Sequence, residues 1–152
     1  MTTPPPTSRL HDARFAQLEA ATLYEILRLR VDVFVVEQEC PFGDLDGRDR
    51  EPTCRHLWLE HDGEVVAYLR ILDEADGSTQ IGRVVTRPEV RSTGMAARLM
   101  RIALAGIDGP IVVKAQSRLA HWYGHFGFLV DGDEFLEDDI SHVPMRLDRP
   151  MP

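Results

Sequence analysis

From residue 79 to residue 116 the chain reads as strand, loop, helix and strand, and that order allows few arrangements. The first run, 79–86, is β-rich and gives way to Pro88. A loop then opens at Arg91-Ser92-Thr93-Gly94 into an apolar-periodic helix. Gly109-Pro110 ends this unit, and 111–116 is a short, nearly continuous apolar run suited to a sheet interior. Two strands joined in this way lie parallel, with the helix crossing between them. That helix is expected to bury Met95, Leu99, Ile102 and Ala103 and to turn Arg98 and Arg101 outward.

Antiparallel strands precede the parallel step. Residues 55–61 alternate and meet Asp62-Gly63, a hairpin signal into 64–72, and Asp76-Gly77 marks a second turn before 79–86. A first strand is expected over 10–18 and a helix over 22–36, with Thr22 as its N-cap. Residues 37–54, with Pro41, Gly43, Gly47 and Pro52 among acidic residues, read as loop. A helix near 118–125 and strands near 127–131 and 142–147 complete an α/β chain, a mixed sheet flanked by helices. Its 152 residues suffice for one domain, expected over 9–149 after a disordered proline-rich lead at 1–8.

Leu23, Ile26, Leu27, Val33 and Phe34 form one stripe of the 22–36 helix, and Arg30 falls on it. A guanidinium on an apolar face is either paired with a carboxylate or directed into a cleft. Both alternatives stand at this level.

Composition removes several classes of function. A net charge of −8 argues against nucleic acid as the main partner. No apolar stretch reaches the ~18–20 residues that cross a bilayer. The first residues lack the apolar core of a signal peptide, so Cys40 and Cys54 are expected as reduced thiols in a cytoplasmic protein. No metal is expected. Asp44-x-Asp46-Gly47 misplaces the glycine of an EF-hand, and Cys40, Cys54 and His56 lack paired Cys-x-x-Cys spacing. Ser92, Ser117 and Ser141 lack the Gly-x-Ser-x-Gly elbow of a hydrolase.

The start of the second helix carries the chemistry. A helix N-terminus offers unpaired N–H groups and about half a positive charge, which suits a phosphate or pyrophosphate. Gly94 permits positive φ and Arg91 adds a cation. The loop is neither a Walker loop nor a dinucleotide fingerprint, for it lacks Gly-Lys-Ser/Thr and the three glycines. The excess of arginine over 83–101 fits either an anionic cofactor or a solvated helix face.

Three blocks resemble the GNAT (Gcn5-related) N-acetyltransferase superfamily. Arg91-Ser92-Thr93-Gly94-Met95-Ala96 is similar to its Arg/Gln-x-x-Gly-x-Gly/Ala acyl-CoA loop, with Ser92 where many relatives have glycine. Tyr123-Gly124-His125-Phe126-Gly127-Phe128 resembles its Tyr-x-x-x-Gly-Phe segment, and residues 29–49 resemble the ElaA-type branch. The resemblance implies a mostly antiparallel sheet with one splayed parallel strand pair that admits pantetheine. It implies acetyl-CoA as co-substrate and direct transfer of acetyl to the amine of a small molecule or peptide, in a protein that often pairs as a homodimer.

By the same resemblance, the backbone of Val84, Val85 and Thr86 meets pantetheine, while Arg91, Ser92, Thr93, Gly94, Met95, Ala96 and Ala97 hold the pyrophosphate. Gln116 adds a polar contact. Tyr123 hydrogen-bonds the sulfur and assists proton return, since a phenol near ~10 lies above a thiol near ~8.5. For the base, Glu37 and His142 lead a group that includes Asp44, Asp46 and His56. Arg30, Asp44, Asp46 and His56 are the candidates for acceptor binding, although residues 44–49 also read as a capped, solvated turn. A non-catalytic acyl-CoA-binding or sensing module is the competing reading, because no proton acceptor stands out.

Overall fold

The structure of the protein, a computed structural model, describes residues 8–149. The expected lead at 1–8 lies, except for Ser8, outside the described residues. Eight strands among the described residues form one sheet: β1 (Arg9–Arg14), β2 (Arg55–His61), β3 (Glu64–Asp73), β4 (Thr79–Thr86), β5 (Ile111–Gln116), β6 (Leu129–Val130), β7 (Phe135–Glu137) and β8 (Ile140–Leu147). The order is β1-β2-β3-β4-β5-β8-β6, with β7 paired to β8. Only β4 and β5 pair in parallel. The mixed sheet expected from the sequence is thus present, with the helix α2 (Met95–Ala105) between its two parallel strands.

The sheet separates two cores. On one face, Ile26 and Leu29 of α1 (Ala20–Val31), with Val33 beyond it, meet Trp58, Tyr68 and Val85. On the other, Met95, Leu99 and Ala103 of α2 meet Leu57, Leu69, Ile81 and Val113. Tyr68 and Leu69 point to opposite cores because successive strand side chains alternate. With both faces covered, β3 is buried from Val65 through Leu72. Each large apolar side chain so placed contributes about 1.5–3 kcal/mol.

Several boundaries differ from the sequence reading. β1 stops at Arg14, where the Gln17 side chain accepts a 2.8 Å hydrogen bond from the Arg14 amide and a 3-10 turn follows. Helix α1 begins two residues early, with Glu19 rather than Thr22 at the N-cap position. From Asp32 to Glu37 it widens into a π-helix, in which the Gln38 amide reaches back to the Val33 carbonyl at 3.2 Å. β7 was not foreseen: it has three residues and turns into β8 through Asp138 and Asp139, both with positive φ. Cys40 and Cys54 are free and buried.

Arg30 anchors the segment between α1 and β2. It is fully buried. Its Nε donates to Asp44 Oδ2 at 3.0 Å, Nη1 to Asp49 Oδ1 at 2.7 Å, and Nη2 to the Asp44 carbonyl at 3.0 Å. Arg70 of β3 extends the cluster to Asp46 at 2.9 Å and Asp49 at 3.1 Å. His56 sits between the Tyr68 hydroxyl at 2.6 Å and the Asp49 carbonyl at 3.0 Å. A carbonyl only accepts, which places the proton on Nε2 and leaves Nδ1 to accept from Tyr68. Burial pushes the His56 imidazolium pKa down, so the ring is held neutral.

The sequence reading offered Arg30, Asp44 and His56 to an acceptor molecule, and their placement corrects it. All three are buried and held by partners inside the protein. Of the two alternatives for Arg30, the carboxylate pair is what the fold uses. Arg30→Ala should therefore cost about 3–5 kcal/mol of stability, the usual cost of breaking a buried ion pair. Urea unfolding measures this, and an unchanged midpoint would contradict the anchoring role.

Candidate active site

The ladder between β4 and β5 is short. Thr79 pairs with Ile111 and Gln80 with Val112, and beyond them the strands part. A bulge in β4 accompanies the parting. Tyr68 faces Val85 while Arg70 faces Gly82, so β4 spends one more residue than β3 over this span. Arg83 takes the positive φ of 54°. Its Nε lies 2.7 Å from Asp44 Oδ1, and its Nη2 donates to the Asp44 carbonyl at 3.0 Å. The opened strands form part of the wall of a cleft of about 950 Å³. Val84, Val85 and Thr86 line it from β4, Lys114 and Gln116 from β5, and Tyr123 from α3 (Ala120–Gly124). Gln116 Nε2 donates to Gln38 Oε1 at 3.2 Å, which ties β5 to the segment after α1.

A smaller hollow of about 230 Å³ lies against the loop that follows β4, lined by Ser92, Gly94, Met95, Ala96 and Ala97 among others. Gly94 adopts φ 84° at the N-cap of α2 and no side chain caps that helix. Ser92 also has positive φ, 65°, which costs a non-glycine residue about 1–2 kcal/mol. None of the six amides from Ser92 to Ala97 donates to a described residue; the first bond of the helix is from Arg98 to the Gly94 carbonyl, at 2.9 Å. The Thr93 hydroxyl instead donates within the loop, to the Val90 carbonyl. Arg91 makes a two-pronged ion pair with Glu37, each contact at 2.5 Å. That hydrogen-bonded pair holds the Glu37 carboxyl below its ordinary pKa.

Tyr123 is packed edge-on against Trp122 and Phe128 and is 8% exposed. Burial pushes its phenol up to about 12. Its hydroxyl makes no hydrogen bond to a described residue. His142 stacks on Phe135 with ring centres 5.6 Å apart. Its Nδ1 lies 2.7 Å from the Ile140 carbonyl and so carries the proton. Nε2 is then the nitrogen able to accept one, 3.9 Å from Glu137.

The cleft thus brings together Glu37, Asp46, Val84, Val85, Thr86, Arg91, Ser92, Ala96, Gln116, Tyr123 and His142. Arg30, Asp44 and His56 stand behind its wall. The sequence reading did not single out Arg70 or Lys114, and it took Asp49 only within the 44–49 loop and Arg83 only within the arginine excess over 83–101. Asp49, Arg70 and Arg83 belong to the cluster beside the bulge. A glycine inside a strand, Gly82, was the available signal for the bulge. The arginine excess over 83–101 divides among several uses. Arg83 serves the acidic cluster, Arg87 pairs with Glu64, and Arg98 and Arg101 are exposed.

Burial raises the Asp46 carboxyl, but hydrogen bonds from Arg70 and the Arg48 amide, with the Arg70 and Arg83 charges, outweigh it and bring the pKa to about 2. A depressed folded-state pKa gives stability that is present above the unfolded value and lost as pH falls through the folded one. The stability gap between the wild type and Asp46→Asn should therefore be widest near neutrality and narrow from about pH 4 toward pH 2. Urea titrations at a series of pH values test this, and a gap independent of pH would contradict it.

A parallel strand pair that parts over a helix N-terminus, with a buried tyrosine in the cleft, defines an acyl-CoA-type N-acyltransferase architecture. Comparison with known proteins agrees. The family model described as "Acetyltransferase (GNAT) domain" matches residues 33–149. The UPF0039 protein Mb2876c of Mycobacterium bovis is 50% identical over 133 residues, covering 84% of this chain and 85% of that protein. An acyl-CoA N-acyltransferase from Pseudomonas aeruginosa superposes with a TM-score of 0.87 at 39% identity, over 92% of this chain and 99% of the other. Escherichia coli ElaA superposes at 0.85 with 34% identity and the same coverage. The chain belongs to the GNAT acetyltransferase family, and proteins named ElaA and UPF0039 are among its relatives.

Proposed function

We propose that the protein transfers an acetyl group from acetyl-CoA to a primary amine, directly, within a ternary complex. The observation that carries this reading is the continuity of the free amides of Ser92–Ala97 with the parted strands and with Tyr123. Six N–H donors at a helix N-terminus suit a pyrophosphate. The edge of β4 at Val84, Val85 and Thr86 offers backbone groups to the amides of pantetheine, and an N–H near Val85 polarises the thioester carbonyl. Gln116 contributes a polar contact from the opposite strand.

Tyr123 serves the departing sulfur. Burial makes its phenol a weaker acid than free tyrosine, so full proton transfer to a thiolate near ~8.5 is uphill. Its part is a hydrogen bond to the sulfur, and the proton that completes the thiol comes from the attacking amine. This keeps the hydrogen bond to sulfur that the resemblance implies and sets aside the proton return. His142 Nε2 is the better placed base, since the Glu37 carboxylate is occupied by Arg91. Asp46, on the cleft wall, has both carboxylate oxygens held by Arg70, so it gives that wall polarity but is not a free carboxylate for a cationic acceptor.

Isothermal titration with acetyl-CoA tests the reading at its root, and no binding at millimolar ligand would reject it. Thiol release with a panel of polyamines, amino acids and peptides separates catalysis from mere binding. Tyr123→Phe should lower turnover by about tenfold or more, the size of one hydrogen bond made to developing charge, with acetyl-CoA affinity nearly unchanged. Equal rates for the two proteins would remove Tyr123 from the mechanism. Glu37→Gln should release Arg91 to the pyrophosphate and tighten acetyl-CoA binding by up to about fivefold, the limit for an exposed ion pair. Weaker binding would show that Glu37 supports the cofactor site.

A further inference from the structure

Lys114 is the one lysine among the 17 Lys and Arg residues of the chain. It lies on β5, exposed, in the wall of the same cleft as Tyr123. Extending the register of Thr79 with Ile111 and Gln80 with Val112 sets Lys114 level with Gly82, where β4 and β5 part. A Cβ at Gly82 would meet nothing within 4 Å, so no bulk crowds the lysine from that side. Of the arginines that line the cleft, Arg70 is engaged with Asp46 and Asp49, Arg83 with Asp44, Arg48 with Glu51 and Glu74, and Arg91 with Glu37, while the exposed Arg118 makes no hydrogen bond or ion pair with a described residue. Lys114 makes no hydrogen bond or ion pair with a described residue.

An ion-pairing or phosphate-binding role is one that arginine fills at least as well, and this chain uses arginine everywhere else. What lysine alone provides is an amine that becomes nucleophilic on losing a proton. We propose that Lys114 is a self-acetylation site, a proposal that rests on the acetyl-CoA reading above. The ammonium gives one proton to solvent, by way of His142 or water. Nζ then attacks the thioester carbonyl carbon, the C–N bond forms and the C–S bond breaks. A second proton passes from that nitrogen to the thiolate. The products are an acetamide at position 114, free CoA thiol and one released proton. The amide is stable, so it does not hand the acetyl group on. It leaves the cleft wall with one fewer positive charge and a bulkier group where the strands part, and turnover of external amines is reduced.

Intact-mass and peptide mass spectrometry of the full chain incubated with acetyl-CoA test the proposal. The expected result is one acetyl group, mapped to Lys114, with a half-time independent of protein concentration. Urea-unfolded protein should react at least about tenfold more slowly, because the cleft no longer holds thioester and amine together. Lys114→Arg keeps the charge, so it should remain unmodified while binding acetyl-CoA within about twofold of the wild type. Folded protein that binds acetyl-CoA by calorimetry yet stays unmodified overturns this proposal and leaves the function standing. Absence of acetyl-CoA binding overturns both. An adduct that persists in Lys114→Arg, or that forms equally fast in urea, also overturns the proposal.

Discussion

The carboxylate of Asp44 lies between two guanidinium groups, Arg30 at 3.0 Å and Arg83 at 2.7 Å. Much of the structure follows from that arrangement. Arg30 belongs to the helix on one face of the sheet, Asp44 to the loop, and Arg83 to the bulge of β4. The pair of contacts therefore fixes the bulge relative to the helix that covers it. The bulge turns β4, and β4 parts from β5 after only two paired residues. A buried charge is costly unless it is paired and hydrogen-bonded, and here Asp46, Asp49 and Arg70 complete the pairing. The ion pairs on the α1 face thus sit beside the opening of the sheet, while apolar cores on both faces hold the strands together.

The cleft has two ends of different character. Near α2, backbone amides and one helix terminus supply the positive potential. Toward β3 and the 40–46 loop, the charges are side chains, and most are matched with partners of opposite sign. A diphosphate fits the first kind of surface. The second offers a polar, nearly neutral wall, on which Lys114 and Arg118 are exposed cations with no hydrogen bond or ion pair to a described residue. Net charge alone, −8 for the chain, describes neither end.

How much of this could be read from the sequence depended on distance along the chain. The runs 79–86 and 111–116 were legible to the residue, because β-branched residues are bounded there by proline and glycine. The Arg91–Ala96 loop and Tyr123 could be singled out because each motif is local, and the structure sets Arg91, Ser92, Ala96 and Tyr123 in one cleft. The anomaly of Arg30 was visible as a cation on an apolar stripe, but its partners lie 14 and 19 residues away, and Arg83 meets Asp44 across 39. No periodicity encodes such pairings. Asp44 and Asp46 look alike in sequence, two residues apart, yet one is 3% exposed and the other lines the cleft. The π-helical turn at Asp32–Glu37 escaped because its residues fit ordinary helical spacing. Strand β7 escaped because three residues carry too little alternation to register.

Helix α2 begins at a glycine that contributes no side chain, above a serine held in a left-handed conformation. Most helices finish their first turn with an oxygen from a neighbouring serine, threonine or aspartate. No side chain supplies that oxygen here, so an anion seated there would complete secondary structure as well as occupy a site. The resistance of the domain to heat and proteolysis would then rise and fall with the supply of that anion, and the fold itself would become a gauge of how much is present.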